Sequence, residues 1–147
     1  MQEDCEKLVE SALTALEESP LRVTEPRKAL VRLLAKAEKP LSSEEIRMLS
    51  GEELDLVTVY RNMEVFSEQG IVQSILLENG KQLFELTAKG DHHHHIICRN
   101  CHRALRLELC FGGELERYAA NRGFEDLSHK IEVFGICSDC AAGGKRR

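Results

Sequence analysis

The chain has 147 residues, 42% of them hydrophobic and 31% charged, with a formal net charge of −5. That is enough for one domain of ordinary size or two small ones in a soluble protein. Its longest apolar stretches fall far short of the ~20 residues that span a bilayer. The acidic opening MQEDCEKLVE has no basic segment followed by an apolar run, so no membrane association and a cytoplasmic location are expected. The acidic balance argues weakly against nucleic acid as a partner. Residues 21–36 run the other way, with Arg22, Arg27, Lys28, Arg32 and Lys36 against Glu25 alone. Such a run is either a solvated helix face or a footprint for phosphate.

In chain order, apolar residues at 5, 8, 9, 12, 13 and 16 have helical spacing. A second helix follows in PRKALVRLLAKA, with Thr24 as its N-cap and Pro26 in its first turn. Pro40 closes that stretch. Ser42 and Glu45 stand in the capping-box relation before a short helix that ends at Gly51. Asp55 can cap a fourth helix in which Val59, Met63 and Phe66 form one stripe and Gly70 is the stop signal. The runs IVQSILLE and KQLFEL then flank Asn79-Gly80, a hairpin signal whose two-residue turn needs positive φ at both central positions. Helices followed by a two-stranded hairpin predict a winged helix-turn-helix, with residues 43–50 as the first helix of the motif, 57–69 as the recognition helix and 71–86 as the wing.

TAKGD (87–91) is small and polar and reads as a hinge. Beyond it the pattern predicts a strand (92–97), a Cys-x-x-Cys knuckle (98–101), a strand (103–109), a helix (about 114–122), a strand (129–136) and a second knuckle (137–140). The tail AAGGKRR is expected to fray. Two domains follow, 1–86 and 87–147.

Six cysteines without a secretion signal should be mostly reduced. Four of them form the pairs Cys98/Cys101 and Cys137/Cys140, and two such knuckles brought together make a closed tetrahedral sulfur site suited to structural Zn2+. Cys5 and Cys110 lack partners of this kind and read as buried small apolar residues. The run DHHHH (91–95) is internal and adjoins a knuckle, which sets it apart from a terminal tag. On a strand, side chains alternate between faces, so His92 and His94 point one way and His93 and His95 the other. Glu85 is available to one face and His129 to the other. The bland reading is a solvated polar segment with chance histidines.

Together TVYRNMEVFSEQGIV, FELT, HHHHIICRNC and SHKIEVFGICSDC resemble the ferric uptake regulator (Fur) family of bacterial metal-sensing repressors, over about residues 20–140. The resemblance implies an α+β fold. In it an N-terminal winged helix-turn-helix domain is joined to a small C-terminal α/β dimerisation domain with a four-cysteine zinc site. It implies structural Zn2+ on Cys98, Cys101, Cys137 and Cys140. It also implies a regulatory divalent metal (Fe2+, Zn2+ or Mn2+) at a hinge site of Glu85, His93 and His95, and a further site of His92, His94 and His129. Arg22, Arg27, Thr58, Tyr60 and Arg61 match DNA-contacting positions. The expected partners are a second copy of the chain and double-stranded DNA carrying an AT-rich inverted repeat.

The chain departs from the family pattern at several places. Pro40 stands where many members carry a hinge-site histidine. Glu85 stands where zinc sensors usually carry cysteine, which favours the harder Fe2+ or Mn2+, whereas FEDLSHKIEVFGICSDC looks most like zinc uptake regulators. The carboxylate that usually completes the further site aligns near Gly112, so Glu108 or Glu114 would have to substitute. ALRLEL after the first knuckle has no aspartate, which disfavours peroxide sensing. Two rival readings differ in class. A zinc enzyme lacks support, because neither H-E-x-x-H nor H-x-E with P-C-x-x-C is present. A constitutive winged-helix DNA-binding protein with structural zinc alone is the other.

Overall fold

A computed structural model describes residues 2–87 and 92–143. The chain divides into two compact units, Met1–His92 and His93–Arg147. Most of the expected hinge (88–91) and the end of the expected fraying tail (144–147) lie outside the described residues.

The first unit begins with helix α1 (Gln2–Glu18) and helix α2 (Glu25–Lys36). Ala12 and Leu16, four residues apart and so on one helical face, are buried together with Leu30, Val31 and Leu34 of α2. Thr24 caps α2 by accepting from the Arg27 N–H. Strand β1 (Leu41–Ser42) leads directly into α3 (Ser43–Leu49), where the capping box is complete. The Glu45 N–H donates to Ser42 Oγ at 3.2 Å, and the Ser42 N–H donates to Glu45 Oε2 at 2.8 Å. A 3-10 turn (Gly51–Glu53) leads to α4 (Leu56–Glu68), capped by Asp55, which accepts from the Thr58 N–H at 2.7 Å. Val59, Met63 and Phe66 are the fully buried stripe of α4. Gly70, at φ +70°, turns the chain out of the helix.

The wing is the antiparallel pair β2 (Val72–Leu76) and β3 (Gln82–Leu86), with β1 on the outer edge of β3. Its turn differs from the two-residue type expected from Asn79-Gly80. The Gly80 N–H donates to the Leu77 carbonyl and the Leu77 N–H to the Lys81 carbonyl, and Gly80 has φ +86° while Asn79 is not among the residues with positive φ. Only one left-handed residue is therefore needed, as in a type I turn closed by a glycine bulge. Asn79 contributes through its side chain, accepting from the Lys81 N–H at 3.0 Å.

The second unit is built on β4 (His94–Cys98), the centre of a three-stranded sheet. It pairs antiparallel with β5 (Ala104–Leu107) and parallel with β6 (Glu132–Gly135). A parallel pair needs a long crossover, and helix α5 (Gly112–Ala120) lies within it. Helix α6 (Ser138–Ala141) ends the unit. The strands are shorter than the sequence pattern suggested. β4 starts at His94 rather than 92, and β6 starts at Glu132 rather than 129. Among the described residues of this unit only Ile97 and Cys98 are buried hydrophobics.

Ser42→Ala removes the capping box at the entry to α3 and should cost about 0.5–2 kcal/mol. A urea unfolding curve followed by circular dichroism should show a lower midpoint at unchanged slope.

Candidate metal centres and nucleic-acid interface

Cys98 is the last residue of β4, and Cys101 follows in a turn closed by the His102 N–H on the Cys98 carbonyl at 2.9 Å. His102, at φ +60°, sends the chain back towards β5. Cys137 immediately precedes α6, and Cys140 lies within it. The sheet brings the two knuckles together, since the Arg99 N–H donates to the Gly135 carbonyl at 2.8 Å and the Cys137 N–H donates to Cys98 Sγ at 3.3 Å. Arg103, just after the first knuckle, and Asp139, within the second, form an ion pair at 2.7 Å.

All four sulfurs lie within 4.8 Å of one another, and Cys101 Sγ is 3.7 Å from Cys137 Sγ. That spacing is too long for a disulfide. It matches the ~3.8 Å edge of a tetrahedron with zinc–sulfur bonds of ~2.3 Å. The protonation pattern also fits a cation. The Cys137 backbone N–H holds the Cys98 thiol down at about 6, whereas hydrogen bonding with Cys137 pushes Cys140 up to about 12. Four thiols this close cannot all ionise on their own charge, and a divalent ion at their centre removes the obstacle.

A second cluster gathers His92, His94, Cys110 and His129, whose ligand atoms also lie within 4.8 Å of one another. His94 Nε2 is 3.1 Å from His129 Nε2 and 3.3 Å from Cys110 Sγ, and Cys110 Sγ is 3.1 Å from His129 Nε2. The other nitrogen of His129, Nδ1, meets Glu116 Oε1 at 2.6 Å, and that bond raises the imidazole's pKa. A carboxylate in this position fixes the proton on Nδ1 and turns the Nε2 lone pair towards the cluster. Gly112 and Glu116, four apart on α5, share a face. Gly112 is buried, and a methyl group there would overlap the His129 ring.

These findings correct the sequence reading at Cys110. It is exposed rather than buried, and it joins the histidines, whereas neither Glu108 nor Glu114 belongs to the cluster. Cys5, in contrast, is half-buried and packs against α2, with its Sγ 3.3 Å from the Ala35 carbonyl. Glu116 was also missed, and Gly112 was noted only for lacking a carboxylate, not for making room for the His129 ring. Their signal was the Gly-Gly pair opening a helical pattern, with a carboxylate one turn further on.

His93 and His95 are buried, with 8% and 1% of their surface exposed. His95 stands opposite Arg106 of β5 and Glu132 of β6 in the sheet register. Glu85 is a half-buried residue of β3 in the first unit, opposite Gln73. The expected hinge set is thus divided between the two units. On α4, Tyr60 and Arg61 are exposed, and Thr58 is half-buried in the first turn. Tyr60 Oη donates to Glu44 Oε1 at 3.3 Å. Arg27 donates through Nε to Asn62 Oδ1 at 3.0 Å and through Nη1 to the Arg22 carbonyl at 2.7 Å, which ties the start of α2 to α4. Arg22 itself is exposed.

The profile of the Ferric uptake regulator family matches residues 18–134. The Ferric uptake regulation protein of Neisseria gonorrhoeae is 38% identical over 144 residues, covering 92% of this chain and 97% of that one. Among solved structures, the Vibrio cholerae ferric uptake regulator superposes with a TM-score of 0.70 at 31% identity, over 84% of this chain and 98% of its own. The Francisella tularensis ferric uptake regulator with iron gives 0.68 at 28% identity, over 84% and 97%.

Cys137→Ser should lower zinc content by one ion per chain and loosen the second unit alone. Hydrogen exchange followed by mass spectrometry should then rise across residues 94–107 while α4 keeps its protection.

Proposed function

Because the chain belongs to the ferric uptake regulator family of metal-responsive transcriptional regulators, we propose that it is a homodimeric repressor of metal-homeostasis genes. It binds double-stranded DNA at an AT-rich inverted repeat when loaded with a regulatory divalent cation. The observation that carries this reading is the two-sided character of α4. Its Val59–Met63–Phe66 stripe is the core of the first unit, while Tyr60 and Arg61 face outward beside a wing. A helix held rigidly on one side and displayed on the other is what a major groove accepts.

In this reading Tyr60 packs on a thymine methyl or a sugar, and Arg61 contacts a phosphate or a guanine edge. Thr58, Arg22 and Arg27 supply further contacts at the ends of α4 and α2. Cys98, Cys101, Cys137 and Cys140 hold a structural Zn2+ in a closed shell with no position left for a substrate, which supports a regulator and not an enzyme. Glu85 of the wing, with His93 and His95, holds the regulatory ion, which is Fe2+, Mn2+ or Zn2+. That ion supplies directional bonds that favour one orientation between the units. Glu85 thereby links the wing to the histidines of the second unit, and the fraction of DNA-competent conformers sets the apparent affinity. Pro40 offers no donor, so this set has three named ligands. His92, His94 and His129 form the further site. The regulator acts in the cytoplasm, and no described helix is long and apolar enough to cross a membrane.

The second unit presents Leu109, Phe111, Leu115 and Tyr118 with more than half of each surface exposed. Exposed apolar residues such as these, with Leu115 and Tyr118 three apart on one face of α5, support burial against a second copy.

Two outcomes test the reading. His93→Ala with His95→Ala should abolish metal-stimulated binding to an inverted-repeat duplex in fluorescence anisotropy, with the circular dichroism spectrum unchanged. A double variant that still responds to Fe2+, Mn2+ or Zn2+ overturns the hinge assignment. Leu115→Glu with Tyr118→Glu should shift sedimentation from dimer towards monomer.

A further inference from the structure

The further site, as read from the histidines alone, has three nitrogen donors and lacks a fourth ligand. We infer that Cys110 is that ligand, and that its thiolate makes this site selective for zinc-class ions over Fe2+ and Mn2+. The inference rests on the reading of His92, His94 and His129 as a metal site and deepens it.

Four observations converge. The triangle formed by His94 Nε2, His129 Nε2 and Cys110 Sγ has edges of 3.1, 3.1 and 3.3 Å. A tetrahedral ion with bonds of ~2.0–2.1 Å to nitrogen and ~2.3 Å to sulfur requires edges of roughly 3.3–3.6 Å, so small adjustments complete the shell. The fourth donor atom, on His92, lies within the same 4.8 Å group. Glu116 aligns His129 as a carboxylate aligns a ligating imidazole. The opening of α5 contributes no donor, because the room that a side chain at 112 would take is filled by the His129 ring. The thiol in the cluster comes instead from Cys110, two residues upstream of Gly112, in the loop that precedes the helix.

The chemistry of that thiol decides the selectivity. Imidazole suits iron, copper, nickel and zinc alike, and carboxylate suits the harder ions. Exchanging a carboxylate for a thiolate keeps one negative charge in the shell but softens the donor. A three-nitrogen, one-sulfur tetrahedron matches Zn2+ and its spectroscopic mimic Co2+, and it serves Mn2+ poorly. Cys110 binds as the thiolate, its proton passing to solvent as the ion enters, with no redox change. On this view the site is a second zinc site, chemically distinct from the hinge set with its carboxylate.

The test is a Co2+ titration of the full chain with its structural zinc retained, zinc content being measured in the same samples. The unaltered protein should bind Co2+ with visible bands of tetrahedral type and a near-ultraviolet sulfur-to-cobalt charge-transfer band. Cys110→Ser should lose the charge-transfer band and weaken Zn2+ binding by at least ~100-fold, beyond the ~10–100-fold expected of an outer-shell partner. Mn2+ binding should not weaken. Glu116→Gln should weaken Zn2+ by about 10–100-fold with the charge-transfer band intact, which separates positioning from ligation. Retention of both band and affinity in Cys110→Ser overturns the inference. Absence of any Co2+ band of tetrahedral type in the unaltered chain overturns the further site itself. Should Cys110→Ser misfold, alkylation of Cys110 in the unaltered chain by iodoacetamide, followed by mass spectrometry, gives the answer. Zn2+ should slow it at least tenfold, and an unchanged rate refutes ligation.

Discussion

The register of β4 is the constraint on which the second unit depends. Its alternation puts His94 and Cys98 on one side of the strand and His95 on the other, so a slip of one residue would exchange the faces and scatter both side-chain clusters. Pairing on both edges prevents this. His95 is opposed by Arg106 in the antiparallel ladder and by Glu132 in the parallel one. Beyond the ladder, the Cys98 N–H reaches the Arg103 carbonyl and the Arg99 N–H the Gly135 carbonyl, which anchors the strand where the first knuckle begins. One short strand thus holds one thiol and two imidazoles at fixed spacing.

The two units solve the problem of stability differently. The first buries apolar side chains from its helices and a sheet, with Leu16, Ile46, Val59, Met63 and Phe66 fully enclosed. The second encloses little beyond Ile97 and Cys98 among its described residues. A unit of this size has too little interior to offset the chain entropy lost on ordering. Metal bonds between its ends, and the proposed covering of its exposed apolar residues by a second copy, would both add to that interior. This is why its exposed hydrophobic residues and its cysteines belong to one physical account.

Much of this was legible from residues alone, where the deciding interactions are local. Thr24, Ser42, Glu45 and Asp55 cap helices as their identities suggest, because a cap involves residues three apart. Strand alternation accounts for His94 and His95 falling on opposite faces of β4, while His92 and His93 precede the strand. Failures came where distant segments decide. Asn79-Gly80 suggested a two-residue turn, but a longer turn with one left-handed glycine was available to the same dipeptide. Cys110 looked like a small apolar residue because its neighbours in sequence carry no ligand spacing, and its partners His94 and His129 lie 16 and 19 residues away. Arg27 has the composition of a phosphate contact, yet its hydrogen bonds to Asn62 and the Arg22 carbonyl show that it also braces α4 from within the first unit.

Gly112 extends the meaning of a functional residue. It supplies no donor atom to the cluster, yet the imidazole of His129 occupies the volume that any other amino acid would claim. The smallest possible addition, one methyl group, would force either the helix or the ring to move and would spoil convergence without touching a ligand. A search for metal sites that considers only donor atoms would pass over this position. A search that also considers the space a donor ring must occupy would include it.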